Sequence, residues 1–248
     1  MTEISLRFAD AVLTHPGQVR TNNEDSALAR PDAGLWVVAD GMGGHSNGEW
    51  ASAAITQALT RADLSGGFDE AAAAVSRGIH EANQQIYAAA KTNGASMGST
   101  VVALLLRGSR FAVFWAGDSR CYLLRGGALY QLSTDHSQVQ EMVTAGRLTP
   151  EEAEGHPMAH VLSRAVGVQP ELEVDAVSDV AMAGDVFLVC SDGLTRTIPD
   201  GELATILGAG KPEPTAERLV QLCLERGAPD NVTVAVVACD ATTLLAFA

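Results

Sequence analysis

The pairing of short apolar segments through tight glycine-containing links is the strongest constraint on the fold. Segments rich in Val, Leu and Phe recur along the chain, and Gly, Asp or Asn bounds each of them, as is typical of strands. In LLRGSRFAVF and LLRGGALYQL two such segments follow each other almost directly. Links that short can connect only antiparallel neighbours, so the sequence predicts antiparallel sheets.

Three stretches carry the pattern of helices. Apolar residues repeat about every 3.6 positions over 48–62, and the Ala-rich stretch 68–93 favours a helix with Asp69 as its N-cap. The stretch 214–227 ends at a glycine suited to close a helix. Strands in two batches with helices segregated between them predict an α+β fold. Since no repeat or linker divides the chain, we expect one domain over 1–248.

Composition excludes several classes of partner. A formal net charge of −14 repels a nucleic acid backbone, so DNA and RNA are not expected as partners. No apolar run is long enough to span a bilayer, and the N-terminus lacks the pattern of a secretory signal. We therefore expect a cytoplasmic monomer that binds no membrane. The four cysteines form no C-x-x-C pair, which predicts reduced core residues.

Acidic residues lie at the ends of several predicted strands. Asp40, Asp118 and Asp192 each close a strand, Asp230 precedes the last one, and the pair Glu24-Asp25 lies near the N-terminus. Taken alone, each acid is as well explained by a turn or a solvated face. Together they form the oxygen-rich ligand set that Mg²⁺ or Mn²⁺ prefers. The glycines after Asp40 would make room for something small and charged to approach the backbone closely.

Six motifs in a fixed order carry a resemblance to a known family. They are R-x-x-N-E-D, V-V-A-D-G-M-G-G-H, A-G-D-S-R, L-S-T-D-H-S, C-S-D-G-L and D-N-V-T, running from Arg20 to Thr233. This order resembles the metal-dependent serine/threonine protein phosphatases of type 2C, the PPM family, in their bacterial form. The resemblance implies a four-layer α-β-β-α sandwich of two antiparallel sheets flanked by helices. It also implies hydrolysis of phosphoserine and phosphothreonine by a water that bridges two Mn²⁺ or Mg²⁺ ions.

The resemblance further implies a role for each acid around these two ions. Asp40 would bridge both metals, and Gly41 would lend its backbone carbonyl. Asp192 and Asp230 would hold one metal. Phosphoproteins, modified by a cognate serine/threonine kinase, would be the substrates.

The remaining motif residues would complete the site on that pattern. Glu24 and Asp25 would serve the second metal, partly through water. Asp118 would hold a third, weaker ion, sharing Asp192 with the other metals. Arg20 matches the arginine that grips the phosphate, a task for which the planar guanidinium fork is well shaped.

One position departs from the family pattern. Met42 stands where eukaryotic members often carry a histidine assigned as the general acid, and a thioether cannot donate a proton. His45 is a candidate acid, although a loop histidine satisfied by backbone explains it equally well. The polar excursion over 136–160 corresponds to a flap beside the cleft, for which we expect substrate recognition. Arg164 after it could reach substrate or brace the flap.

Two other classes of function compete with the phosphatase. The first is a catalytically weak module on the same fold that binds phosphoproteins and regulates them. Such a module usually lacks metal carboxylates, which this chain retains. The second is a two-metal nuclease, which the acidic charge and the lack of basic stripes oppose.

Overall fold

The computed structural model of the protein describes residues 6–44 and 46–242. Within these residues the chain forms eleven strands and seven α-helices. The strands are β1 (Leu6–His15), β2 (Asp25–Arg30), β3 (Leu35–Met42), β4 (Gly98–Ser99), β5 (Val101–Arg107), β6 (Arg110–Ala116), β7 (Arg120–Arg125), β8 (Ala128–Gln131), β9 (Asp175–Val180), β10 (Val186–Cys190) and β11 (Val232–Ala241). The helices are α1 (Ser46–Arg61), α2 (Phe68–Asn93), α3 (Gln138–Thr144), α4 (Pro150–Glu154), α5 (Asp192–Thr195), α6 (Asp200–Leu207) and α7 (Pro212–Glu225).

The strands form two sheets in which every described pair is antiparallel. The first sheet has the order β1-β11-β10-β7-β8, and the second has the order β2-β3-β5-β6-β9 with the short β4 beside β3. The two tight links seen in the sequence join β5 to β6 and β7 to β8. The predicted antiparallel sheet system is thus confirmed.

Successive side chains of the central strands point to opposite faces of each sheet, and this divides the core into layers. In β5, Val101 and Leu105 pack in the cluster that includes α1 and α2, whereas Val102 and Leu104 pack in the layer between the sheets. Successive side chains of a strand point to opposite faces, so a strand that is apolar on both faces must be covered twice.

A second helical layer and an inter-sheet layer complete the sandwich. The first sheet buries its outer face against α5, α6 and α7. Between the sheets, Phe111 of β6 meets Phe187 of β10 edge to face, with ring centroids 5.0 Å apart. The predicted four-layer α-β-β-α sandwich is therefore confirmed. All four cysteines are free and buried, as expected.

The predicted helices form, with one correction at an N-terminus. Helix α2 begins at Phe68, so the prediction of Asp69 as its N-cap is wrong. Gly67 is the N-cap, and its N–H donates to a Glu70 carboxylate oxygen at 2.6 Å. Gly227 follows α7 with a φ of +94°, the left-handed conformation of a helix-closing glycine. Among the described residues, no helix combines the length and apolar character that crossing a bilayer requires.

A buried asparagine ties α2 to the segment that forms one wall of the cleft described below. Asn83 Nδ2 donates to the carbonyls of Gln169 and Pro170 at 3.1 and 3.3 Å, and its Oδ1 accepts from the N–H of Gly167 at 2.6 Å. The side chain is 2% exposed. The helix thereby holds an irregular segment in place through one side chain.

We expect Asn83→Ala to lower the free energy of unfolding by about 1–3 kcal/mol, because it leaves the Gly167 N–H without its acceptor. Urea denaturation of the purified protein measures this change. The neighbouring exposed Gln84 provides the control, and Gln84→Ala should stay within about 0.5 kcal/mol of the wild type. Equal losses in both variants would show that Asn83 does not hold the segment.

Candidate active site

Strand alternation places Asp40 at one end of the layer between the sheets. Trp36 and Val38 of β3 pack in that layer, and Asp40 continues the same face. Three hydrogen bonds fix its backbone. Its N–H donates to Thr100 Oγ1 at 3.0 Å, and its carbonyl accepts from the Thr100 N–H at 2.8 Å and from the Ser99 hydroxyl at 3.0 Å.

Asp25 lies beside Asp40 on the adjacent strand of the second sheet, and its carboxylate also contacts the first sheet. The two residues are direct partners in the β2–β3 register. Asp25 Oδ2 accepts from Ser191 Oγ at 2.8 Å and from Thr233 Oγ1 at 2.7 Å. Its other oxygen, Oδ1, is buried and has no hydrogen-bond partner among the described residues. Asp25 therefore links the two sheets and keeps one acceptor unsatisfied.

Three further acids meet around Arg196. Asp118 lies in the turn after β6, Asp192 is the first residue of α5, and Asp230 lies two residues before β11. Arg196 follows α5 and forms an ion pair with Asp192. Its guanidinium also lies 3.8 Å from Asp118 and 3.7 Å from Asp230. The structure thus gathers around one cation three acids that lie far apart in the sequence, at positions 118, 192 and 230.

Asn231 positions the loop that carries Arg20 and Glu24. Its Oδ1 accepts from the Glu24 N–H at 2.7 Å, and its Nδ2 donates to the carbonyls of Pro16 and Asn22 at 3.0 and 2.9 Å. Arg20 Nη2 lies 3.0 Å from Asp230 Oδ2. The N-terminal loop is therefore held against the start of β11.

The glycines after Asp40 serve the packing of the backbone. A Cβ at Gly41 would lie 2.0 Å from the carbonyl oxygen of Gly48, and one at Gly43 would lie 2.4 Å from that of Ser96. The Gly41 N–H also donates to the Glu24 carbonyl at 3.1 Å. The space that these two glycines leave is thus filled by neighbouring backbone, whereas the sequence led us to expect room for a ligand there.

These side chains line a cleft of about 740 Å³. Its acidic wall holds the predicted acids except Asp25, which lies buried behind them. The opposite wall is formed by the segment 160–172 after the flap region, including His160 and Val168. The predicted site residues on this wall and its rim are Arg20, Glu24, Asp40, Gly41, Asp118, Asp192 and Asp230. His45, the candidate acid, lies outside the described residues.

The acids raise one another's pKa values in this cleft. Burial raises the pKa of Asp25 to about 7, against the hydrogen bonds from Thr233 and Ser191. Burial and the charge of Asp192 raise the pKa of Asp118 to about 7. Burial and the surrounding carboxylates also raise the pKa of Asp40 well above its usual range. Ionising these carboxylates is therefore costly for the protein alone, so the cleft favours bound protons or cations.

The donor set fits hard divalent cations. Asp192 Oδ1, like Asp25 Oδ1, is buried with no hydrogen-bond partner among the described residues. The five predicted acids of the cleft and Asp25 behind them carry six negative charges when all are ionised, and Arg20 and Arg196 reduce this to four. The lining residues Glu171 and Arg164 add one charge of each sign and leave the balance unchanged. No three Asp, Glu, His or Cys side chains of the described residues form a complete ligand group by themselves. An ion here would take other ligands from water and backbone carbonyls, as Mg²⁺ commonly does.

Sequence reasoning missed Arg196, although a signal was present. Arg196 lies four residues after Asp192, the spacing at which opposite charges pair on a helix. We had interpreted Asp192 only as the end of a strand, whereas it begins α5. His160 was also not singled out, and only the structure brings it to the cleft.

Arg164, whose role the sequence leaves open, lines the cleft and forms two ion pairs at its wall. Its Nη1 lies 2.6 Å from Asp175 Oδ1, and its Nη2 lies 3.2 Å from Glu173 Oε2. His136, which stacks on Trp115, lies 3.2 Å from the same Nη1. Arg164 thus braces the base of the flap region against β9.

Comparison with known proteins agrees with this fold. The family model described as protein phosphatase 2C matches residues 17–230. The serine/threonine protein phosphatase PstP of Mycobacterium tuberculosis is 39% identical over 238 residues, which cover 95% of this chain and 46% of PstP. The chain therefore spans about half the length of that relative.

Two solved structures show the same architecture. The structure of PppA, described as a key regulatory component of T6SS in Pseudomonas aeruginosa, has a TM-score of 0.87 and 43% identity, covering 94% of this chain and 97% of PppA. The catalytic domain of PstP in complex with two manganese ions has a TM-score of 0.84 and 37% identity, covering 95% and 99% of the two chains. The chain belongs to the protein phosphatase 2C family.

The raised pKa values predict a pH dependence of the metal-free protein. An Asp whose folded pKa of about 7 exceeds its unfolded value of about 3.9 holds a proton in the native state that the unfolded state releases. Its stabilisation is complete below the unfolded pKa and is lost as pH rises through the folded pKa. We expect chelator-treated protein to lose thermal stability between about pH 5 and pH 7.5, and Asp118→Asn to lose less.

Differential scanning calorimetry in EDTA measures both profiles. The wild type and Asp118→Asn must be compared because a second group also makes stability depend on pH. Burial and Arg164 lower the pKa of His136, so its contribution to stability rises with pH. Asp240→Asn, an exposed change at the far end of β11, should keep the wild-type profile. Parallel profiles for the wild type and Asp118→Asn would contradict the assignment.

Proposed function

We propose that this protein is a metal-dependent phosphoprotein phosphatase that hydrolyses phosphoserine and phosphothreonine. The observation that carries the proposal is the convergence of five remote carboxylates and Arg20 in one cleft of a protein phosphatase 2C fold, with Asp25 buried behind them. The relatives supply the reaction class, since PstP is named a serine/threonine protein phosphatase.

We further propose the following ligands for two Mn²⁺ or Mg²⁺ ions. Asp40 would bridge both, with the Gly41 carbonyl, Asp192 and Asp230 completing the protein ligands of this centre together with Glu24 and Asp25. When bound, such ions supply positive charge for the phosphate oxygens and lower the pKa of water toward neutrality. The manganese complex of the PstP catalytic domain supports the number of ions and the choice of manganese.

Arg20 would bind the substrate phosphate. Its side chain is 54% exposed at the rim of the cleft, and it pairs with Asp230 through Nη2. A guanidinium carries five N–H donors, so the others stay available to phosphate oxygens. The ion pair with Asp230 orients the Arg20 guanidinium beside the acids, so a phosphate bound to Arg20 would also lie close to the metal ligands.

The regulatory binding module is not favoured over the enzyme. Every carboxylate that the sequence assigned to metals is present, and all but Asp25 line one cleft. Burying acids that repel one another lowers the stability of the folded protein. A module that only bound phosphoproteins would be more stable without these acids. As substrates we propose phosphoproteins modified by a cognate serine/threonine kinase. We also propose that the protein is a monomer and acts in the cytoplasm.

Asp40→Asn should lower kcat/KM for p-nitrophenyl phosphate by at least about 100-fold, because it removes the proposed bridging ligand. Hydrolysis should require Mn²⁺ or Mg²⁺ and stop with a chelator. Steady-state kinetics with Asp240→Asn as the matched control, again an Asp-to-Asn change in the same fold, test this. Retained phosphopeptide binding without turnover in the wild type would instead support the binding module.

The absence of an acid at Met42 predicts a dependence on the leaving group. Met42 lines the cleft but cannot protonate a departing oxygen. Aryl phosphates, which need little protonation, should therefore be hydrolysed with a higher kcat than alkyl phosphates of similar affinity. Equal kcat values with chemistry rate-limiting would contradict this. An unchanged kcat of His45→Ala on a phosphoserine peptide would exclude His45 as the acid.

A further inference from the structure

Arg196 places a permanent positive charge inside the acidic cleft. It lies one helical turn after Asp192, so the i,i+4 spacing holds its guanidinium against that carboxylate. The same group lies 3.8 Å from Asp118 Oδ2 and 3.7 Å from Asp230 Oδ2. Its side chain is 31% exposed, so solvent screens these contacts only in part.

Two of its partners are the acids that the family resemblance assigns to a third ion. Asp118 and Asp192 are each 8% exposed. Among the described residues, Arg196 is the one cationic side chain within ion-pair distance of either acid. Arg20 forms its ion pair with Asp230, whose Oδ2 also lies 3.7 Å from Arg196. The guanidinium of Arg196 thus lies where an ion shared by Asp118 and Asp192 would have to bind.

The charge balance of the cleft agrees with this position. With Arg20 and Arg196 in place, the five predicted acids of the cleft and the buried Asp25 leave four negative charges when all are ionised, which two divalent cations would neutralise. A third divalent ion would bring an excess of positive charge and would lie near the guanidinium. Like charges at about 4 Å repel strongly where the dielectric constant is low.

We propose that Arg196 takes the place of the third metal ion, so that this protein binds two divalent ions and neutralises Asp118 and Asp192 with its own side chain. This inference rests on the two-metal site of the proposed function. It assigns to Arg196 a positioning role, since the guanidinium holds two carboxylates in place and limits how many ions the cleft accepts.

Counting bound Mn²⁺ in Arg196→Met tests the proposal without any activity assay. Methionine keeps an unbranched side chain but offers neither a charge nor a hard oxygen ligand. Equilibrium dialysis with elemental analysis, over Mn²⁺ from micromolar to millimolar, gives the number of ions per chain. We expect two ions for the wild type and three for Arg196→Met, the third binding at least about 10-fold more tightly than any further ion in the wild type.

Three variants serve as controls. Arg196→Lys keeps the charge and should bind two ions. Arg226→Met removes an arginine that pairs with Glu202 outside the cleft, and it should also bind two. Asp118→Asn combined with Arg196→Met should return the count to two, because the third ion would lose a ligand.

The possible failures are distinguishable. Three ions on the wild type, or two on a folded Arg196→Met, overturn the inference and leave the two-metal proposal standing. A wild type that binds no Mn²⁺ overturns the proposed function and this inference with it. The inference is also overturned if Arg196→Met still binds two Mn²⁺ ions and is inhibited less by inorganic phosphate than the wild type. Arg196 would then be a phosphate ligand. Because the wild-type count is informative alone, the test does not depend on the folding of one variant.

Discussion

Mutual repulsion among carboxylates at one end of the inter-sheet layer is the constraint on which the site depends. Ionised acids cannot be withdrawn from water without opposite charge or hydrogen bonds close by. Here the backbone of Asp40 is fixed by Ser99 and Thr100, while Asp25 is held by Ser191 and Thr233. These neutral hydrogen bonds fix the positions of the acids and leave most of their charge unbalanced. The protein therefore holds an arrangement that is completed only by cations.

Each sheet supplies part of that arrangement, so the packing between the sheets sets the geometry of the site. Asp40 and Asp118 extend from strands of the second sheet, whereas Asp192 and Asp230 adjoin β10 and β11 of the first. The apolar layer that separates the sheets thus also sets the distance across the cleft. Interiors are closely packed and deform little, which suits a site whose ligands must stay within a fraction of an ångström of their positions. Fold stability and site geometry depend on the same contacts.

The sequence predicted the central strands and missed two edges. Strands β5, β6, β10 and β11 are apolar on both faces because they are covered twice, and that pattern is visible in the residues. The strands β2 and β9 lack the Val-, Leu- and Phe-rich pattern by which the sequence predicts strands, and they are the two edges of the second sheet. Their sequences, DSALAR and DAVSDV, are half-exposed and poor in large apolar side chains, so pairing with a neighbour decides their conformation. The acids were predicted from their residue type and position, whereas Arg196 depended on knowing that Asp192 begins a helix.

Arg20 and Arg196 carry the same charge but differ in exposure and in the number of acids that they contact. Arg20 is more than half exposed and forms an ion pair with a single acid at the rim, so in its proposed role it would exchange that partner for a phosphate at little cost in desolvation. Arg196 is less exposed and is shared among three acids, so moving it would leave several buried charges unbalanced. An ion from solution must lose freedom to bind, whereas a covalently attached guanidinium is present at every concentration of metal. A chain can therefore neutralise part of an acidic site permanently and leave only the remainder to exchangeable ions.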